Sequence, residues 1–151
     1  MKKIVLSIFI TLIFFSLTGC KKKEVENKLI DDVVDNKEVI NSMKAIIDGK
    51  EYIIYLENNE TVDAFINMLP QNVNMNELNG NEKYVYLDST LPTNSYNPKT
   101  INAGDVMLYG DNCIVIFYKS FETSYSYTKI GHIDNLDDLG SKNISVKFEK
   151  Q

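Results

Sequence analysis

Apolar and polar positions follow a strand-like period of two over most of residues 43–148, interrupted once by a helical period. The centre of the pattern is a run of three predicted strands. Residues 105–109 and 113–118 are apolar blocks of strand length. Between them, Gly110-Asp111-Asn112 tolerates positive φ, so a tight antiparallel hairpin is predicted. A third run, 125–133, is dense in Tyr, Thr and Ser and follows a short polar loop at 119–124. Upstream, Asp48-Gly49-Lys50 separates apolar runs at 44–47 and 51–56, the strongest local hairpin signal in the chain. The period then changes. Val62, Phe65, Ile66 and Leu69 fall at i, i+3, i+4 and i+7, one apolar stripe of a helix with Glu60 and Asp63 in its first turn and Pro70 as its stop.

Residues 72–76 alternate strictly, 78–83 carry the turn chemistry of Asn79-Gly80-Asn81, and 84–87 resume an extended run. The stretch 91–104 holds Pro92 and Pro98 and is long for a plain connection, a length often tied to function. Beyond the central strands, residues 134–139 are expected to form a second short helix, capped by Asp134 and ended by Gly140. Residues 144–148 alternate as a closing strand. About eight short strands bury their edges best by closing, so the expected fold is mainly β: a closed barrel with two capping helices.

The N-terminal pattern is different in kind. Lys2 and Lys3 precede an unbroken apolar core at 4–15, and Leu17-Thr18-Gly19-Cys20 follows at once. This is the layout of a secretory signal, and the apolar run is shorter than the roughly 20 residues that span a bilayer. The Leu-Thr-Gly-Cys end resembles the lipobox of bacterial lipoproteins, in which the cysteine is lipid-modified and becomes the first mature residue. Two acyl chains on Cys20 suffice for stable anchoring. Residues 1–19 are therefore expected to be a signal peptide and 20–42 a charged tether with an amphipathic segment at Leu29, Ile30, Val33 and Val34. Residues 43–151 are expected to be the folded domain, held on the extracytoplasmic face of the cell membrane.

Charge and cysteine content narrow the partners. All 16 basic residues are lysine, against 21 acids, and the net charge is −5. An acidic surface argues against nucleic acid. With Cys20 lipidated, Cys113 has no intrachain partner and reads as a small buried hydrophobe in a strand. One histidine, His132, and one free thiol are too few for a zinc site. Asp134, Asp137 and Asp138 lack EF-hand spacing and are explained by helix capping, so neither a metal nor a cofactor is expected. No Gly-x-Ser-x-Gly elbow accompanies His132, which reads as an outer or rim residue of a strand.

Four blocks carry a resemblance: Leu78-Asn79-Gly80-Asn81-Glu82-Lys83-Tyr84, Leu91-Pro92-Thr93-Asn94, Ala103-Gly104-Asp105-Val106-Met107-Leu108-Tyr109-Gly110 and Thr123-Ser124-Tyr125-Ser126-Tyr127-Thr128. In this order they are similar to the bacterial cyclophilin-like domain family, over residues 43–149. The resemblance implies a closed barrel with capping helices. In true cyclophilins an arginine beside an apolar, aromatic-lined groove assists rotation about X-Pro bonds, but this chain contains no arginine. Lys83 lacks the planar fork that would replace it.

Aromatic residues crowd one part of the chain: Tyr109, Phe117, Phe121, Tyr125 and Tyr127, joined by Tyr84 and Tyr86. Strand packing alone accounts for any one of them. Together they are candidates to line a groove, with Asn79, Asn81 and Glu82 as polar residues at its rim. The expected function is a membrane-anchored module that binds a small molecule or peptide without catalysis, at Asn79, Asn81, Glu82, Tyr84, Tyr109, Phe121, Tyr125 and Tyr127. The alternative is a peptidyl-prolyl cis-trans isomerase acting on extracytoplasmic proteins.

Overall fold

A computed structural model describes residues 40–151. The signal segment, Cys20 and all but the end of the 20–42 tether lie outside the described residues. In chain order the elements are β1 (Ser42–Ile47), β2 (Lys50–Leu56), α1 (Glu60–Asn67), β3 (Gln71–Leu78), β4 (Glu82–Tyr86), β5 (Thr100–Ile101), β6 (Asp105–Tyr109), β7 (Cys113–Phe117), β8 (Phe121–Glu122), β9 (Thr128–Ile133) and β10 (Ile144–Lys150). Eight of the strands close into an antiparallel barrel in the order β1-β10-β3-β4-β7-β6-β9-β2. Strands β5 and β8 pair separately as a small antiparallel ribbon.

The hairpins form where the sequence places φ-tolerant residues. Ile47 pairs with Lys50 across Asp48 and Gly49, both at positive φ (46° and 87°), the geometry that matches strand twist in a two-residue turn. Helix α1 starts at Asn59, whose Oδ1 accepts the Val62 N–H at 2.9 Å, satisfying one of the helix's orphan donors. The same side chain donates through Nδ2 to the Lys129 carbonyl at 2.9 Å, so the cap also fastens the helix to β9. Val62, Phe65 and Ile66 are buried, and Phe65 meets Phe148 of β10 edge-on at 5.5 Å.

The second capping helix does not form. Residues 134–139 are a turn and irregular chain, with Asn135 at φ 54°. The reason is local competition. The Asp137 carboxylate is taken by Lys50 and Tyr52, and Asp138 Oδ1 accepts the Gly140 N–H at 2.8 Å. Short Asp- and Asn-rich segments satisfy themselves this way more readily than by helix formation. A second difference is that β9 begins at Thr128, because Tyr125 and Tyr127 belong to the segment leading into it.

Two apolar clusters share strands β6 and β7. Val106, Leu108, Ile114 and Ile116 face the barrel interior with Met43, Ile54 and Phe148. Met107, Cys113, Val115 and Phe117 face outward and are covered by Ile101, Phe121 and Tyr127. All five residues of β7 are therefore buried, as a continuous apolar run demands. The cover is pinned by hydrogen bonds from Gly104 N to Phe117 O (2.7 Å), from Thr123 N to Lys99 O (2.8 Å) and by the Tyr96–Tyr127 bridge.

Candidate functional site

The outward face of β4, β7 and β6 is only partly covered, and beside the cover it forms an open groove of about 290 Å³. Strand alternation puts Glu82, Tyr84 and Tyr86 of β4 on this face. Their cross-strand partners on β7 are Phe117, Val115 and Cys113, so Val115 and Cys113 become the floor. Tyr109, at the end of β6, and Tyr125 and Tyr127, from the segment before β9, make the facing wall. Leu78 and Asn79 close the end next to the β3–β4 turn.

The rings interlock at steep angles. Tyr109 stands at 89° to Tyr125 with centroids 6.1 Å apart, and Tyr84 at 79° to Tyr86 at 5.9 Å, the edge-to-face arrangement that aromatic quadrupoles favour. Tyr127 is 6% exposed and packs at right angles on Phe117. Tyr86, Tyr109 and Tyr125 are 62%, 42% and 61% exposed, so their rings stand out at the rim.

Electrostatics differ sharply within the groove. Burial lifts the Glu82 carboxyl above its ordinary range, and the like charge of Glu77 adds to the effect. Burial pushes the Cys113 thiol up to about 11, with the Glu82 carboxylate contributing. A thiol so protonated is a poor nucleophile, and Cys113 serves as floor. Tyr127 is raised by burial, against a hydrogen bond with Thr123 that works the other way.

A family model for the cyclophilin-like family matches residues 45–149, most of the chain and all ten strands but the ends of the first and last. The chain belongs to the cyclophilin-like family. Among solved structures, the hypothetical protein AF2241 from Archaeoglobus fulgidus is similar, with 19% identity over 77% of this chain and 99% of that one and a TM-score of 0.51. At that identity the likeness concerns the fold alone. No curated protein matches the chain.

Within this cyclophilin-like domain the groove brings together six of the residues expected from sequence: Asn79, Glu82, Tyr84, Tyr109, Tyr125 and Tyr127. Two others lie elsewhere. Phe121 sits in β8 and packs on Phe117 at 5.6 Å, inside the cover. Asn81 is not among the groove's lining residues: its carbonyl accepts the Tyr118 N–H, and its Oδ1 is buried with no hydrogen-bond partner among the described residues. Sequence reasoning missed the floor, Val115 and Cys113, although the pairing of β4 with β7 follows from the alternation that places Tyr84 and Tyr86 outward. Lys83 is turned the other way, fully buried beneath β4.

A separate polar set lies on the outer wall between β6 and β9. Asp105, 2% exposed, faces His132 Nδ1 at 3.1 Å, accepts the Asn102 N–H at 2.8 Å and stands 3.6 Å from Lys129 Nζ. Gly104 packs directly beneath His132, where a Cβ would meet Cε1 at 2.9 Å. This arrangement fixes the 102–105 turn. Among the described residues no serine hydroxyl bonds to the imidazole, whose other nitrogen lies 3.6 Å from Asp134.

Proposed function

We propose that this protein is a membrane-tethered, extracytoplasmic binding module that takes a small molecule or a peptide in the tyrosine groove without transforming it. The observation that carries this reading is a convergence. Of the six exposed large hydrophobic side chains in the described residues, four, Leu78, Tyr86, Tyr109 and Tyr125, line one groove, and Tyr55 and Tyr96 lie elsewhere. Clustered exposed apolar surface marks interaction sites, whereas scattered residues do not. The groove combines aromatic rings with convergent polar groups, the tyrosine hydroxyls, Asn79 and Glu82, as sites that orient a ligand do. Its only titratable groups besides tyrosine are Glu82 and the protonated Cys113.

Family membership makes prolyl isomerisation the second reading, because an aromatic groove on the outer wall of the barrel suits an extended peptide. Against it stands the donor set. Among the described residues no lysine lines the groove, and the chain has no arginine to assist rotation of the X-Pro bond. Uncatalysed isomerisation takes tens to hundreds of seconds, so even a weak enzyme is visible above background. An isomerase assay over a panel of proline peptides is expected to show no acceleration. Turnover that disappears in Tyr109→Leu and Tyr125→Leu variants would establish the isomerase instead.

The tethering half of the proposal rests on Lys2, Lys3, the apolar core and Leu17-Thr18-Gly19-Cys20. Cys20→Ser is expected to leave the chain unprocessed or released into the medium. A variant that fractionates and migrates like the parent refutes lipid anchoring.

A further inference from the structure

The walls of the groove say what class of guest they suit, an argument that rests on the groove being the binding site. We propose that the groove selects a compact alkylated ammonium ion, a free organic cation of the choline type, held between the tyrosine rings and the Glu82 carboxylate.

The first observation is an unpaired charge. Four acids of the described domain are buried or partly buried: Asp105, Glu77, Glu82 and Glu149, the last paired with Lys147. Asp105 is met by His132, Lys129 and a backbone N–H, and Glu77 by Lys83 and the Gly80 N–H at 2.6 Å. Glu82 has no ion-pair or hydrogen-bond partner among the described residues, and the charge that bears on it most is Glu77, of its own sign. Withdrawing a carboxylate from water without compensation is unfavourable, and a cation in the groove supplies the compensation.

The second observation is the wall around it. Tyr84, Tyr86, Tyr109, Tyr125 and Tyr127 line the same groove as Glu82; the Tyr84–Tyr86 and Tyr109–Tyr125 pairs stand nearly at right angles and Tyr109–Tyr127 is tilted at 51°. Electron-rich rings attract a cation through their quadrupole, and boxes of such rings recognise quaternary ammonium groups. An alkylated ammonium needs no hydrogen-bond acceptors beyond one negative charge, which is what this groove has. A hard metal cation needs several oxygen ligands, and among the described residues no group of three or more His, Cys, Asp or Glu is placed to hold one.

Size and field point the same way. At about 290 Å³ the groove lies at the lower bound of drug-sized sites, roughly 300–1,000 Å³. With no lysine in its lining and a net charge of −5 on the chain, it disfavours anions. A phosphate-bearing choline headgroup would place its phosphate beside Glu82 with nothing to balance it, so the free cation is the better guest.

The test compares three probes on the purified chain in choline-free buffer, followed by tyrosine fluorescence and by the resonances of the groove residues. The probes are choline, its uncharged carbon isostere 3,3-dimethylbutan-1-ol, and phosphocholine. Choline is expected to shift the Tyr109 and Tyr125 resonances saturably. The neutral isostere should bind roughly tenfold more weakly or worse, the difference being the cation's attraction to the rings and the carboxylate. Phosphocholine should also bind more weakly than choline. Glu82→Gln, with a thermal transition no lower than that of the parent, should weaken choline and leave the isostere as it was. Choline binding should fall as pH drops and Glu82 takes a proton in the presence of Glu77, Cys113 and Tyr127, the groups that face it, and Glu82→Gln should remove that dependence. Absence of choline binding, or an isostere that binds equally well, overturns the proposal. If the isostere or a proline peptide shifts the groove resonances while choline does not, cation selectivity fails and the groove remains a binding site. If nothing shifts them, both readings fail.

Discussion

Lys83 has a fully buried ammonium that donates to the Gly140 carbonyl (2.6 Å) and the Lys142 carbonyl (2.7 Å) and is ion-paired with the Glu77 carboxylate (3.6 Å), with the Tyr118 ring 4.9 Å away. It therefore ties the irregular 134–143 segment to the wall of the barrel. Lys83→Met keeps the length of the stem and removes every donor, leaving two carbonyls without their donor and the Glu77 carboxylate without its counter-charge. The expected loss is about 2–4 kcal/mol in urea unfolding, with hydrogen exchange rising in residues 139–143. In sequence this lysine is hidden inside a polar turn, Asn79 to Lys83, and lysine is almost never fully buried unless paired. Its carbonyl partners are 57 and 59 residues away, which no local pattern announces. The neighbouring Glu82 behaves oppositely. Its folded pKa is raised, so the unfolded state releases the proton more readily and stability falls as pH rises from the unfolded value of about 4.3. Without ligand, Glu82→Gln is expected to raise the thermal midpoint at pH 7, and the gain should vanish below pH ~4.

Elements were legible in the sequence where period and turn chemistry agreed. The Asp48-Gly49 hairpin, the stripe Val62-Phe65-Ile66-Leu69 and the run 113–118 each carry both signals; each element forms where the pattern placed it, with the helix ending at Asn67, before Leu69, and the strand at Phe117, before Tyr118. Strands β5 and β8 carried neither. Each has two residues, β5 in a loop rich in Pro and Asn and β8 in one rich in Ser and Tyr, and they exist because Thr100 and Ile101 find Glu122 and Phe121. The predicted helix at 134–139 failed for the converse reason, since its capping residues had other partners. The groove was half legible: its tyrosines are visible as composition, but their common face depends on β4 lying beside β7. Gly104 joins these elements, donating to Phe117 O and accepting from Ile133 N at 2.8 Å, at φ 96°. A Cβ there would stand 2.2 Å from the Ile133 carbonyl oxygen. Gly104→Ala is expected to destabilise by more than ~2 kcal/mol and to speed amide exchange at Thr123 and Tyr127, where the cover meets the barrel. Wild-type protection at those amides would show that the cover is held independently of Gly104.

At the scale of the whole domain, closure leaves the barrel without a free edge, and its one described cysteine, Cys113, is buried and unpaired. Residues 40–151 are expected to unfold in one cooperative transition, unaffected by reductant or chelator. Acid should weaken the domain. Glu77 is held low first by the Gly80 N–H and then by Lys83, and Asp137 by Lys50 and then Tyr52. Groups with depressed pKa values stabilise above their unfolded values and lose that contribution as pH falls through the folded ones. The thermal midpoint should therefore drop below pH ~4, where the unfolded-state carboxylates begin to titrate. A midpoint that stays level down to pH 2 would contradict this. The doubly buried β7 has a consequence for how such a protein diversifies. The floor of the groove is the reverse side of the barrel core, so changes at Val115 or Phe117 disturb folding before they alter recognition. The rim is free of that constraint, since Tyr86, Tyr109 and Tyr125 are largely exposed. Specificity is thus inherited separately from foldability. Lineages, or a combinatorial library, can rewrite these few rim positions while the strand beneath them stays fixed.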